Sequence, residues 1–330
     1  MQNKNEYLFL CTRIKSLERN LLNQERMERM LEARSHEDAL DVLTECGYDE
    51  LPDTTAASID LALTNQRHKI MADLASFAPD PEVINAFQVR YDYHNVKVLL
   101  KSEAMGADPA PLLLDAGRIS VRELTDRMRS NDLVGLPSVL QTAIVQARDV
   151  LNATGDPQQT DFVLDRAFYM DMDAIAQQAG SEFLAGYVRI SVDAANLRSV
   201  VRTLRMGKNV EFLKGVLFGG GNLDVPRILN AVTSSVSLEE LYAASPLRLA
   251  AEEAARILEG GALTRFEKLC DDAVTEYLSG AKYIAFGEAP VIAFLAAKEN
   301  EFVAVRIIMA GRMAGLDADT IRERLRESYV

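Results

Sequence analysis

The stretch "DYHNVKVLLKSEAMG", residues 92–106, has two further copies in this chain, "DAANLRSVVRTLRMG" at 193–207 and "EFVAVRIIMAGRMAG" at 301–315. Each copy has an acid, a base after four intervening residues, and a glycine after eight more. No gap is needed to align them. The repeated positions are Asp92, Lys97 and Gly106, then Asp193, Arg198 and Gly207, and finally Glu301, Arg306 and Gly315.

This repeat predicts three similar domains, because a long, regular period is the sequence signature of a repeated structural unit. The three bases are separated by 101 and 108 residues. If the boundaries follow the glycines, the domains are 1–108, 109–209 and 210–330. The middle of each copy is apolar and its glycine suits the left-handed residue that ends a helix. Each copy is therefore predicted to be the last, buried helix of its domain.

The composition predicts a nearly all-α fold. Long segments rich in Leu, Ala, Arg and Glu alternate with Gly and Pro breaks, Trp is absent, and aromatic residues make up 7% of the chain. No pair of alternating segments flanks an Asn-Gly or Asp-Gly turn, so β-hairpins are not expected. No strand–helix alternation suggests a parallel sheet.

Charge and hydropathy limit the partners that we expect. The net charge of −13 disfavours nucleic acid, whose binding depends on phosphate contacts, and also direct binding to anionic lipid. No run of 18 apolar residues exists, and the N-terminal residues do not resemble a signal peptide. The three cysteines form no C-x-x-C motif, which predicts buried, reduced thiols and no zinc site. We expect a cytoplasmic protein without membrane insertion.

A second recurring pattern predicts ion pairs. Asp-x-Ala occurs at Asp60, Asp165 and Asp271, between 33 and 37 residues before the base of the following copy. Because a buried charge must be paired, we expect each Asp to bind that base. The predicted pairs are Asp60 with Lys97, Asp165 with Arg198, and Asp271 with Arg306.

The polar residues of the first copy have structural interpretations. His94 is the best catalytic candidate, but Ala195 and Val303 replace it in the other copies, which favours a structural role. Asn95 and Asn196 occupy one position and predict a helix–helix hydrogen bond; the alternative is a contact to another protein. No catalytic residue is predicted.

Two other segments suggest ligand binding but do not fulfil its requirements. Residues 162–173 are Asp-rich, and Asp271-Asp272 begins an incomplete D-D-x-x-D motif of the kind that binds magnesium in all-α isoprenoid synthases. The glycine-rich segment 215–224 lacks the Lys of a phosphate-binding loop. It is predicted to be a turn that corresponds to residues 114–124. Ser120 and Asp224 would then cap the next helices. No metal ion, cofactor or cofactor-binding residue is predicted.

Three segments together resemble the C subunit of V/A-type rotary ATPases, a relative of the d subunit of the eukaryotic V-ATPase. They are "EYLFLCTRIKSLERNLLNQERMERMLEARSHEDALDVLTECGY" (6–48), "YDYHNVKVLLKSEAMG" (91–106) and "KENEFVAVRIIMAGRMAGLDADTIRERL" (298–325). The resemblance covers both ends and the repeat frame, and matches poorly at about 110–180. Ala304 stands where the family usually has Asn.

This resemblance implies three helical domains in a pseudo-threefold, funnel-like arrangement. It also implies a non-catalytic rotor component of the central stalk, peripheral to the membrane, that couples the axle subunits of the ATPase head to the membrane proteolipid ring. Which residues bind those partners is not predicted. Two alternatives remain open from the residues alone: an unrelated all-α scaffold or adaptor, and a magnesium-dependent all-α enzyme.

Overall fold

The computed structural model describes residues 4–329, which contain α-helices and short 3₁₀ helices and no strand. The all-α prediction is confirmed. In chain order the α-helices are α1 (Leu8–Leu17), α2 (Gln24–Glu32), α3 (His36–Glu45), α4 (Ala56–Ala75), α5 (Glu82–Met105), α6 (Val121–Ser130), α7 (Ser138–Thr154), α8 (Pro157–Ala179), α9 (Glu182–Arg205), α10 (Val210–Val216), α11 (Val225–Thr233), α12 (Leu238–Leu241), α13 (Arg248–Leu258), α14 (Thr264–Ser279), α15 (Glu288–Met313) and α16 (Ala318–Arg322).

The three sequence copies lie in the C-terminal halves of α5, α9 and α15, which are 24, 24 and 26 residues long. Gly106, Gly207 and Gly315 follow these helices with φ angles of 64°, 62° and 71°. A residue with a side chain is strained in this conformation, so the glycines end the helices as the repeat predicts. Ser120 and Asp224 cap α6 and α11 by accepting hydrogen bonds from Glu123 N and Arg227 N, as predicted.

The N-terminal halves of α5, α9 and α15 meet in one hydrophobic cluster, which contains Phe87, Tyr187 and Phe294. The rings of Phe87 and Tyr187 stack with centroids 5.6 Å apart. This first cluster also holds the C-terminal half of α5 with α6, α7 and α8. The three long helices are therefore packed together at their N-terminal halves.

The C-terminal halves of these helices enter different clusters. The C-terminal half of α9 packs with α10–α14 in a second cluster. The C-terminal half of α15 packs with α2, α3 and the N-terminal half of α4 in a third cluster. This third cluster therefore joins both ends of the chain. The long helices separate toward their C-terminal ends, and each one leads into its own group of shorter helices.

The clusters correct one interpretation of the repeat. The repeat predicts that each copy is the last helix of a domain, but the C-terminal halves of α5 and α9 pack with the helices that follow them. The boundaries 1–108, 109–209 and 210–330 stay a prediction, and each cluster combines residues from both sides of at least one of them. Within residues 4–329, no helix has the length and apolar character needed to cross a membrane.

Candidate functional site: the repeated acids and bases

The three repeated bases each bind an aspartate on another long helix. Lys97 Nζ of α5 lies 2.5 Å from Asp165 Oδ1 of α8. Arg198 of α9 binds Asp271 of α14, and Arg306 Nη2 of α15 lies 2.7 Å from Asp60 Oδ1 of α4. The partners come from the predicted set, but the predicted pairing is wrong. Lys97 and Arg198 each bind an acid that lies later in the chain, whereas Arg306 binds one near the beginning of the chain.

The three contacts pair α5 with α8, α9 with α14, and α15 with α4. They form a closed cycle because α8 leads along the chain to α9, α14 to α15, and α4 to α5. The last contact returns to the beginning of the chain, because α4 precedes α5. We call these three the helix-pair contacts. The Asp-x-Ala pattern identifies the right acids, but sequence distance alone cannot show which base each acid meets.

Two of the helix-pair contacts contain a second ion pair that sequence reasoning missed. Lys101 Nζ lies 2.7 Å from Asp161 Oδ2, and Arg202 Nη2 lies 2.7 Å from Glu267 Oε1. Each second base lies four residues after the repeated base, and each second acid four residues before the repeated acid. This register shows that the paired helices run antiparallel. The four-residue spacing was the available signal, because such residues share one helix face.

The three repeated acids accept hydrogen bonds from loop backbone and do not pair with the bases of the repeat. Asp92, Asp193 and Glu301 are buried. They accept hydrogen bonds from the backbone N–H groups of Ile119 (3.2 Å), Leu223 (3.1 Å) and Leu22 (2.8 Å), respectively. In the third copy, the loop comes from the N-terminal part of the chain. The acid thus fixes the loop that begins the neighbouring short helices.

Further donors compensate the buried carboxylates. Arg118 Nε donates to Asp92 Oδ2 over 2.6 Å, and Asn222 Nδ2 donates to Asp193 Oδ2 over 2.7 Å. Burial raises the pKa of Asp92 and of Asp193 above the ordinary range, while Arg118 and Asn222 act in the opposite direction. Arg118 also donates to Asp171, which accounts for one acid of the Asp-rich segment.

Glu301 has a different set of partners. Its Oε1 atom accepts hydrogen bonds from the Tyr48 hydroxyl (2.6 Å) and from Lys298 Nζ (2.7 Å), which are themselves buried. The third acid is therefore neutralised by a lysine of its own helix.

Asn95 and Asn196 reinforce the same loops. Asn95 donates to Leu114 O (2.8 Å) and accepts from Leu114 N (2.9 Å). Asn196 makes both equivalent bonds with Phe218, each 2.8 Å long. The prediction of a helix–helix hydrogen bond is wrong, because the partner is loop backbone. A contact to another protein is also wrong, because both side chains are buried within the chain.

A glycine in each of two loops permits this close approach. A Cβ atom on Gly117 would lie 2.2 Å from Asp92 Oδ1, and a Cβ atom on Gly221 would lie 2.2 Å from Asp193 Oδ1. The glycine-rich segment 215–224 is therefore the loop that the second acid holds. Its sequence similarity to residues 114–124 indicates this correspondence but not its cause.

The remaining chemical candidates make internal contacts. His94 is exposed, with Nε2 2.9 Å from Leu112 O. Asp271 binds Arg198 and Arg326, and Asp272 accepts from Glu327 N over 2.8 Å. Over the residues that the structure describes, no group of three His, Cys, Asp or Glu side chains is arranged to hold a metal ion.

We predict that Gly117→Ala and Gly221→Ala each lower the free energy of unfolding by about 1–3 kcal/mol, because the new methyl group would displace a buried carboxylate from its loop. Denaturant titration followed by circular dichroism measures this change. Gly219→Ala in the loop of Gly221 is the matched control, because nothing lies within 4 Å of its Cβ position, and it should cause no loss. Equal stability of Gly117→Ala and the unchanged protein would contradict the assignment.

A double-mutant cycle tests the corrected pairing. Lys97→Ala and Asp165→Ala should show a coupling energy of about 0.2–1 kcal/mol, as expected for a partly exposed ion pair. A cycle of Asp165→Ala with Arg198→Ala should show none, because these side chains belong to different helix-pair contacts. The opposite pattern of coupling would restore the pairing that the sequence alone suggests.

Comparison with known proteins identifies the family. A model of the family described as ATP synthase (C/AC39) subunit matches residues 10–324. The C subunit of the V-type sodium ATPase of Enterococcus hirae is 25% identical over 331 residues, covering 98% of this chain and 99% of that protein. The C subunit of the V-type ATP synthase of Thermus thermophilus is 25% identical, covering 97% and 98%. The C subunit of the A-type ATP synthase of Haloferax volcanii is 24% identical, covering 81% and 80%.

These matches confirm the resemblance that the three sequence segments carry. They extend over nearly the whole chain, including the middle, where the resemblance by sequence inspection is poor. The chain belongs to the ATP synthase (C/AC39) subunit family.

Proposed function

We propose that this chain is the socket of the central stalk in a V/A-type ATPase or ATP synthase. In this role it couples the axle subunits of the ATPase head to the membrane proteolipid ring during ion transport. The observation that carries the proposal is the cycle of three helix-pair contacts, taken together with the family. A rotor component transmits torque through a fixed internal geometry and needs no reactive group of its own.

Family membership gives the coarser part of this function. A member of the ATP synthase (C/AC39) subunit family is a non-catalytic subunit of an ATPase complex. This replaces both alternatives from the sequence, the unrelated scaffold and the magnesium-dependent enzyme. No cofactor is part of the proposal.

The repeated contacts support three similar helical domains in a pseudo-threefold, funnel-like arrangement. Each domain would contain a copy helix, the loop held by its acid, and the long helix that returns to its base. These contacts favour boundaries that differ from 1–108, 109–209 and 210–330. The first domain would begin near Glu82 and the second near Glu182. The third would combine the chain from Glu288 onward with the N-terminal residues.

The two ends of the long helices offer separate surfaces for two partners. At their C-terminal ends, the exposed apolar side chains are Met105, Met206 and Met313. We call this set the methionine face. Near the N-terminal ends, Tyr283 and Phe286 are exposed just before α15. We call these two residues the aromatic face. A socket needs two such surfaces, one for the axle and one for the ring.

This arrangement also defines the proposed location. The chain would lie on the cytoplasmic side, peripheral to the membrane, and would contact the membrane only through the ring. Its net charge of −13 supports contact with protein rather than with anionic lipid or nucleic acid.

Affinity purification from detergent-solubilised membranes tests the proposal. The tagged chain should recover both the axle subunits and the proteolipid ring. The triple variant Met105→Lys, Met206→Lys, Met313→Lys should lose one of these partners and keep the other. The double variant Tyr283→Ser, Phe286→Ser should show the reverse, because exposed apolar residues at an interface contribute much of its affinity.

The control for both variants is unfolding by heat, which should match that of the unchanged chain because the substituted side chains are exposed. Loss of the same partner in both variants would contradict a two-sided socket. Recovery of neither axle nor ring by the unchanged chain would overturn the proposed function.

A further inference from the structure

We propose that the cycle of helix-pair contacts opens and closes at one place, between α4 and α15. The three helix-pair contacts share one register, so they can be compared position by position. The contact between α4 and α15 differs from the other two in its surface ions, in its buried residues and in its chain connectivity. Opening at this contact does not depend on the proposed rotor function.

The surface ion pairs are weakest at this contact. In the α5–α8 and α9–α14 contacts, the repeated pair is supported by a second pair, Lys101 with Asp161 or Arg202 with Glu267. At the matching positions of α15 and α4, the sequence has Ala310 and Ala56.

Its single surface pair is also the most exposed of the three repeated pairs. Both side chains of the Arg306–Asp60 pair are 55% exposed. The corresponding values are 24% and 39% for Lys97 and Asp165, and 20% and 35% for Arg198 and Asp271. Water therefore screens the α4–α15 pair most strongly.

One buried position next to this pair is ionic, whereas the matching position of the other two contacts is apolar. Seven residues after the repeated acid, α8 has Met172 and α14 has Leu278, both buried in the hydrophobic core. α4 has Arg67, which is buried with its Nε atom 3.4 Å from Glu299 Oε1 of α15. Neither of these two atoms has a hydrogen-bond partner. Arg67 also lies over the Phe302 ring, and Glu299 accepts a hydrogen bond from the Tyr91 hydroxyl over 2.5 Å. The ion pair itself adds little stability, because its attraction is offset by lost hydration.

Opening has different consequences at the three contacts. Separation of α5 from α8, or of α9 from α14, exposes apolar side chains to water. Separation of α4 from α15 also exposes Ile59 and Leu63, but it hydrates Arg67 and Glu299 and so recovers part of the free energy lost on their burial. The same charges favour closure in one register, because only that register pairs them.

Chain connectivity also favours opening between α4 and α15. The residues of the first two repeated ion pairs are 68 and 73 positions apart, whereas Arg306 and Asp60 are 246 positions apart. The α4–α15 contact joins the two ends of the chain, so it can open while the helices between them stay packed.

The chain contains its own probe for each cluster. Cys11 lies in the first hydrophobic cluster, Cys270 in the second and Cys46 in the third, and all three are buried. Burial raises the pKa of Cys46 to about 11 and that of Cys270 to about 12, so neither thiol reacts readily while its cluster is closed. Cys46 lines a crevice with Gln66 of α4 and Lys298 of α15, and separation of these helices exposes it.

Hydrogen–deuterium exchange of the full chain, read by mass spectrometry, tests the order of opening. The matched segments are residues 60–67 of α4, 165–172 of α8 and 271–278 of α14, which all lie beyond the first turn of their helices. We expect protection factors in α4 that are at least about threefold lower than in α8 and α14, from the missing surface pair alone. Cys46 should react with a thiol reagent before Cys270. Equal or faster exchange in α8 or α14 would overturn the inference.

Two variants make the test specific. Ala56→Asp with Ala310→Lys supplies the missing pair at two exposed positions and should raise protection in α4 about two- to fivefold, with each single substitution giving less. Lys101→Ala with Asp161→Ala removes the pair from the α5–α8 contact and should lower protection in α8 by a similar factor. If the first variant leaves exchange in α4 and labelling of Cys46 unchanged, the contact is not the one that opens.

Discussion

The fold depends on one repeated interaction, a buried carboxylate that accepts a hydrogen bond from a loop N–H group. Asp92, Asp193 and Glu301 each fix the loop that leads into a group of short helices. A buried carboxylate is costly unless it is hydrogen-bonded, so the loops must approach closely. That requirement explains Gly117 and Gly221 and the reciprocal bonds of Asn95 and Asn196. The repeated bases Lys97, Arg198 and Arg306, five residues after these acids, then orient α8, α14 and α4 by binding an aspartate on each.

The sequence predicts the parts of this arrangement that depend on local spacing. The helix ends at Gly106, Gly207 and Gly315, the caps at Ser120 and Asp224, and the all-α class follow from chain-local rules. Spacing also identifies the acids Asp60, Asp165 and Asp271. Spacing assigns the wrong bases to these acids, because an ion pair between helices depends on which helices pack against each other.

The same reason explains what sequence reasoning missed. Arg118 bridges Asp92 and Asp171, which lie on different helices, so no spacing within one helix points to it. Arg67 and Glu299 are more than 200 residues apart and meet only because the two ends of the chain pack together. The third acid is the clearest case, since its loop precedes it by almost the whole chain. The contacts between the two ends of the chain, which close the cycle, cannot be predicted from the spacing of nearby residues.

A set of three similar helix-pair contacts, one of which differs from the other two, suits the proposed component between two larger assemblies. Two contacts, between α5 and α8 and between α9 and α14, each hold one group of helices closed, and the first hydrophobic cluster keeps the three groups together. The third contact contains hydrated and buried charges and gives the chain a defined place to adjust. The proposed socket therefore combines rigidity along most of the cycle with compliance at its closing contact.

Electron cryomicroscopy of the membrane complex that contains this chain tests the central claim most directly. We predict density for the chain between the axle subunits and the proteolipid ring, with α5, α9 and α15 arranged around the rotation axis. Density for the chain at the periphery of the complex, away from that axis, would contradict the proposed socket.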